Sequence, residues 1–210
     1  MLIWRSMPTS MELRRLPRQP RGRRRVDALL NAAAAEISHA GYDAATMCSI
    51  AARAGASIGS LYQFFPNKVA LAQALRGQYR NEFELMWSPL ASEAKHLSWE
   101  ELANRLVDST VLFVERHPAF LALLDAPAST HATPAVRKRF QKLVAAFLLA
   151  RRPRMSREKA LRVATVTLQM IKAMNFLYHD LSPQERRPYI QEFKMLLHLY
   201  LESRIEHPME

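Results

Sequence analysis

Residues 46–68, TMCSIAARAGASIGSLYQFFPNK, spell out two short helices set at an angle by a glycine turn. Thr46 can accept a hydrogen bond from the free N–H groups of a helix that starts at Met47. Met47, Ile50, Ala51 and Ala54 then share one apolar face. Gly55 ends that helix, because glycine tolerates the left-handed conformation of a sharp turn, and Ser57 can cap a second helix from Ile58 to about Phe64. This is the plan of a helix-turn-helix DNA reader.

The second helix divides by face. Leu61 and Phe65 can pack inward with Ile50, which leaves Gly59, Ser60 and Gln63 on the side open to a groove. Gly59 holds no side chain between the backbone and DNA, and Ser60 and Gln63 carry groups able to reach base edges. Tyr62 offers a phenol to a phosphate. Asn67 and Lys68 open a further helix whose free N–H groups, reinforced by the ammonium, favour an anion. Thr46, Ser57, Ile58 and Phe64 complete the expected contact set on this segment.

Ala54-Gly55, Ser57, Gly59-Ser60-Leu61-Tyr62, Phe65 and Lys68 together resemble the signature of the TetR family of transcriptional repressors. The match runs back through Ala28-Leu29-Leu30, Ala32-Ala33, Ile37 and Gly41-Tyr42, so it covers about residues 23–75. Ala56 stands where the family more usually has valine. The residues before Thr46 agree with the plan on their own account. Val26, Leu29, Leu30, Ala33 and Ile37 recur at helical spacing and Gly41 provides a stop, giving the first helix of a three-helix unit.

The formal net charge is +11, and it is unevenly placed: residues 1–25 hold eight arginines (Arg5, Arg14, Arg15, Arg18, Arg21, Arg23, Arg24, Arg25) against Glu12. A basic arm beside a DNA reader can neutralise phosphates or enter a minor groove, and Arg23, Arg24 and Arg25 are its nearest members. A solvated tail is the competing reading. Pro8, Pro17 and Pro20 argue against a continuous helix there, so residues 1–22 are expected to be disordered. Met7 and Met11 are alternative translation starts. Leu2-Ile3-Trp4 is too short for a signal peptide and no later segment is an uninterrupted membrane span, so the expected location is the cytoplasm.

Cys48 is the only cysteine, which excludes an intrachain disulfide and a cysteine-rich zinc site. A thiol in a first helical turn can be redox-active, but with no resolving cysteine a small unreactive residue is the favoured reading.

From Lys68 onward helices alternate with proline and polar breaks, giving an all-α chain: a DNA-binding domain at 23–70, then a larger effector-binding and dimerisation domain at 71–210. The expected helices are about 68–87 (with Gly77 inside it), 99–116, 119–124, 134–151, 157–180 and 183–206, with 126–133 a loop. Arg151, Arg152, Arg154, Arg157, Lys159 and Arg162 surround Pro153 as a second basic cluster, read as a solvated connection. In the penultimate helix, Val163, Val166, Met170, Met174 and Leu177 make one apolar stripe, and Ala164, Leu168, Ile171 and Tyr178 another. A helix apolar on two sides needs two partners, so the last hairpin is expected to pair with its copy in a homodimer. TetR-like repressors dimerise in this way, and the resemblance therefore implies two readers meeting the half-sites of a palindromic double-stranded operator.

The resemblance also implies a pocket whose small-molecule occupant releases DNA. Phe83, Met86, Trp87, Phe113, Phe120, Leu124, Phe147, Met170 and Met174 are candidate lining, with Asn175 or Thr167 as polar contacts and plain core as the alternative. Lys172 falls on a polar stripe with Thr165 and Gln169 and reads as solvated.

Other function classes fare worse. The seven histidines form no metal-binding spacing, and neither a nucleophile elbow nor a phosphate-binding glycine loop is present, so no enzyme and no cofactor are expected. His117 before Pro118 reads as a helix-end residue interacting with terminal carbonyls. An architectural DNA binder without an effector remains the rival, separable from a regulator by operator selection.

Overall fold

Helix caps written into the sequence set most of the boundaries in the computed structural model, which describes residues 19–124, 126 and 133–206. The elements are α1 (Pro20–Ala44), α2 (Met47–Arg53), α3 (Ile58–Phe64), α4 (Lys68–Trp87), α5 (Leu90–Glu93), α6 (Trp99–Arg116), α7 (Pro118–Ala122), α8 (Pro134–Arg151), α9 (Arg157–Asp180) and α10 (Pro183–Glu206). Thr46, Ser57, Thr133 and Ser156 each accept a hydrogen bond from the backbone N–H three residues on, and Ser98 and Glu101 cap α6 reciprocally. No strand occurs among the described residues.

The chain forms two compact units, Met1–Glu82 with Arg116–His131, and Phe83–Glu115 with Ala132–Glu210. In the first, α1 lays Val26, Leu29, Leu30, Ala33 and Ile37 into a core shared with Ile50, Leu61, Phe65, Leu71 and Leu75, all essentially inaccessible to water. α7 packs on α1 and is held by an Arg76 hydrogen bond to the Leu123 carbonyl, by His117 Nε2 3.0 Å from Glu82 Oε2, and by Tyr79 against His117 and Phe120. Burial pulls the Arg76 guanidinium down to about 10, which leaves it charged at neutral pH.

In the second unit Trp87, Leu102, Leu106, Phe147, Leu148, Ala160, Ala164, Leu197 and Leu201 form the core. The Trp87 indole is fully buried and donates to Ser109 Oγ at 3.0 Å, so its one polar atom is satisfied.

The structure changes several expectations. Pro20 starts a helix: it occupies the first helical turn, where its missing N–H is unneeded, so residues 20–22 of the arm expected to be disordered are helical. The rest of the expected arm, with Arg5, Arg14, Arg15 and Arg18, lies outside the described residues, as do 127–132 of the expected loop. The short helix α5 was not anticipated, and α7 begins at Pro118 and stops at Ala122. His117 stands between the last residue of α6 and the first of α7, with its Nε2 3.0 Å from Glu82 Oε2.

Only two glycines adopt positive φ, Gly41 (79°, with ψ 165°) and Gly55 (60°), and a Cβ at either would meet nothing within 4 Å. Any cost of substitution there is backbone strain. Gly55 is in the left-handed helical region that asparagine tolerates, whereas the Gly41 conformation is open to glycine alone. Urea unfolding is expected to show Gly55→Ala losing about 1 kcal/mol and Gly55→Asn less. Gly41→Ala and Gly41→Asn should both lose about 1–3 kcal/mol. Rescue by asparagine at 41 would contradict this account.

Candidate nucleic-acid interface

Two reciprocal hydrogen bonds start α2. Thr46 Oγ1 accepts from Ser49 N at 3.0 Å, and the Thr46 N–H donates to Ser49 Oγ at 3.1 Å. The Ser49 half of this box was missed in the sequence, although a hydroxyl three residues after a threonine cap is its visible sign. After Gly55 the chain re-enters a helix at Ser57, whose Oγ accepts from Ser60 N at 3.2 Å. Ile50, Leu61 and Phe65 are each 0% exposed, so the angle between α2 and α3 is set by an apolar contact that admits no water.

The opposite face of α3 is open. Ser57, Gly59 and Gln63 are exposed, Ile58 and Tyr62 are 39% and 42% exposed, and Ser60 and Phe64 are half-buried. Gly59 has ordinary helical backbone, and a Cβ there would meet no atom within 4 Å. Nothing inside the protein therefore requires a glycine at this second position of the helix.

The helical start of α1 is brought to this face. Arg25 Nε lies 3.5 Å from Ser60 Oγ, at the long limit of a hydrogen bond, with Arg24 exposed and Arg23 half-buried beside it.

Lys68 is placed differently from expectation. Its Nζ donates to the carbonyls of Tyr42, Asp43 and Ala45 at 2.8, 2.9 and 3.0 Å and sits 4.6 Å from the Tyr42 ring centroid. An ammonium has three protons, so all three are committed inside the protein, and Lys68 is not the open cation its position suggested.

Arg53 and Glu36 were also missed. Arg53 Nε donates to Glu36 Oε2 at 2.7 Å and ties α2 to α1. Hydrogen bonds from Arg53 and then Ser49 hold the Glu36 carboxyl below the usual range. Cys48 is exposed and free.

The expected effector residues fall in both units. Phe120 and Leu124 belong to the first. In the second, Phe83 packs against Trp87 at 4.7 Å, Phe113 at 4.9 Å and Phe140 at 6.2 Å, and Trp87 lies 6.4 Å from Phe147. Phe113, Phe147, Met174 and Asn175 are buried, while Met86 and Met170 are partly so. Met174 lines a void of about 10 Å³, the room of one water. Two polar atoms stand out in this apolar surrounding: Thr167 Oγ1 and Asn175 Oδ1 are buried without a hydrogen-bond partner. A wider cleft of about 320 Å³ between α6, α9 and α10 is lined by charged groups, among them the Lys194–Asp108 pair at 2.6 Å and Glu115, which accepts from Tyr178.

The stripes expected on α9 are rearranged. Val163, Ala164, Thr167, Ile171, Met174 and Tyr178 face inward, whereas Val166 and Phe176 are each 41% exposed. On α10, Tyr189, Met195, Leu196 and Leu199 are exposed as well. Among the described residues no helix is long and apolar enough to cross a membrane, and no cluster of His, Cys, Asp or Glu could hold a metal ion.

Comparison with known proteins agrees with this fold. The model of the bacterial regulatory proteins of the tetR family matches residues 29–75, and the tetracyclin repressor-like C-terminal domain model matches 98–201. No curated protein matches the chain. Among solved structures, a TetR-family transcriptional regulator from Streptomyces coelicolor is 26% identical, with 86% of this chain and 99% of that one covered and a TM-score of 0.66. A TetR-family regulator from Pectobacterium atrosepticum is 18% identical over 91% and 100% of the two chains, with a TM-score of 0.71. A TetR variant from Acinetobacter baumannii AYE in complex with minocycline is 14% identical over 90% and 96%, with a TM-score of 0.62.

The depressed Glu36 carboxyl makes the stability of the first unit depend on acid. A carboxyl whose folded pKa lies below its unfolded value contributes fully above the unfolded value, near 4.5, and loses that contribution as pH falls through the folded one. Thermal melts of wild type and Glu36→Gln should therefore differ at about pH 6–7, and the difference should shrink as pH falls below the usual carboxylate range. A gap that widens on acidification would contradict the assignment.

Proposed function

The chain belongs to the tetR family of bacterial regulatory proteins, a family of DNA-binding transcriptional regulators and not of enzymes, and from that premise we propose how it reads DNA and is controlled. The module at 23–70 lays α3 in a major groove, with Gly59 allowing close approach, Ser60 and Gln63 reaching base edges, and Tyr62 reaching a phosphate. The observation that carries this reading is the division of α3: Leu61 is sealed into the core, while Gly59, Tyr62 and Gln63 face outward and the glycine answers to no internal contact. Arg24 and Arg25, at the helical start of α1, neutralise adjacent backbone phosphates, and Arg25 steadies Ser60. Ile58 and Phe64 flank the groove-facing side. The hydroxyls of Thr46 and Ser57 cap their helices, so their part is to shape the reader.

Residues 71–210 supply dimerisation and effector binding. Val166 and Phe176 on α9, with Tyr189, Leu196 and Leu199 on α10, offer an apolar face suited to the same hairpin of a second copy. Two readers related by a two-fold axis would meet a palindromic operator. The effector is a small, largely apolar molecule housed among Phe83, Met86, Trp87, Phe113, Phe147, Met170 and Met174. Thr167 and Asn175 are its polar anchors, since buried and otherwise unpartnered oxygens in an apolar core call for a partner. Its binding releases the operator, and repression is the family's commoner behaviour.

Footprinting on DNA flanking the protein's own gene tests the reading, and equal protection of unrelated DNA would favour an architectural binder instead. Ser60→Ala and Gln63→Ala are each expected to relax base preference by about 1–3 kcal/mol at one position, with Tyr62→Phe weakening all sites alike. The double variant Leu196→Glu, Leu199→Glu should sediment as a monomer and lose operator binding while keeping its helical circular dichroism. Dimers that persist would remove the α10 face from the interface.

A further inference from the structure

We propose that Lys68 is a positioning residue that fastens the entrance of the reading module to its exit, and that it is not a phosphate ligand. The proposal rests on the DNA-binding reading above. The chain enters the helix-turn-helix segment at Ala45 and leaves it at Lys68, and the three carbonyls held by the Lys68 ammonium belong to Tyr42, Asp43 and Ala45. These bonds span 26, 25 and 23 residues, so one side chain closes a ring around α2, the Gly55 turn and α3.

The physical need for the ammonium comes from the break at Gly41. That residue leaves the helical conformation inside α1, and the carbonyls that follow it lose the regular pattern of intrahelical partners. A cation at a helix C-terminal end is favourable, whereas at the N-terminal end of its own helix, α4, it is weakly unfavourable. Lys68 is thus misplaced for α4 and well placed for the end of α1. The first turn of α4 is served separately, by Asn67 Oδ1 accepting from Ala70 N at 2.8 Å. The Tyr42 ring, 5% exposed and 4.6 Å below the ammonium, closes the remaining side. A phosphate could gain this cation only by breaking bonds to backbone carbonyls.

The first test needs no DNA. In ¹⁵N NMR of the full chain, the Lys68 ammonium should exchange slowly with water and show couplings across hydrogen bonds to the carbonyl carbons of residues 42, 43 and 45. Fast exchange like that of the other lysines overturns the clamp. The same spectrum of the wild-type operator complex should retain those couplings, and their replacement by coupling to phosphorus overturns the proposal even if every variant is unstable.

Variants then separate the roles. A phosphate ligand replaced by arginine keeps its charge, its affinity and its salt dependence, whereas replacement by glutamine lowers the slope of log affinity against log salt by about 0.9. A guanidinium fork cannot direct three protons at one cluster of carbonyls. Lys68→Arg is therefore expected to lose about tenfold or more in operator affinity at an unchanged salt slope and at unchanged affinity for unrelated DNA. Wild-type behaviour of Lys68→Arg, or an equal loss on all DNA, refutes the proposal. If wild type itself selects no operator, the functional reading fails, while the free-protein spectrum still decides whether the clamp exists.

Discussion

Everything the first unit can do depends on the exclusion of water from the contact between Ile50, Leu61 and Phe65. Two helices of seven residues each are too short to persist alone, and their geometry exists only because an apolar seam holds them while a left-handed glycine turns the chain. Around that seam the polar groups serve as fasteners: Thr46 with Ser49, Ser57 with Ser60, Arg53 with Glu36, and Lys68 with three carbonyls. All but the Arg53–Glu36 pair replace hydration that a terminal backbone group has lost, and that pair joins two side chains of α2 and α1.

Helices were legible in the sequence where the signal is local. A capping hydroxyl, an apolar repeat and a glycine or proline stop lie within a few residues of one another, and the ends of α2, α3, α4, α8, α9 and α10 fell where these signs put them. Local signs also mislead. Pro20 reads as a breaker unless the turn that follows it is known to be helical, and α5 has four residues and no room for a periodic pattern. The site shows the same divide. The outward face of α3 follows from its spacing, but the fate of the Lys68 ammonium depends on carbonyls more than twenty residues away, and the pairing of Arg53 with Glu36 on how α1 and α2 cross.

The second unit was harder to read because α9 is apolar on more than one side. Hydrophobicity alone does not say which side meets the protein's own core, and Val163 and Val166, placed on one stripe by spacing, part company: the first is buried and the second exposed. The more telling residues there are polar. Thr167 and Asn175 are candidate polar contacts by position, and burial without a hydrogen-bond partner is what sets them apart from ordinary surface residues.

The division of labour along α3 bears on how such a protein changes over generations. Positions 58, 59, 62 and 63 are exposed, and even a new Cβ at 59 would collide with nothing in the protein. Substitutions at these positions fall among the surface changes that leave stability within about 0.5 kcal/mol. Duplicated copies can therefore diverge in the sequences they prefer without first acquiring compensating mutations in the core, whereas any drift at Ile50, Leu61 or Phe65 is filtered by folding before it can be tried on DNA.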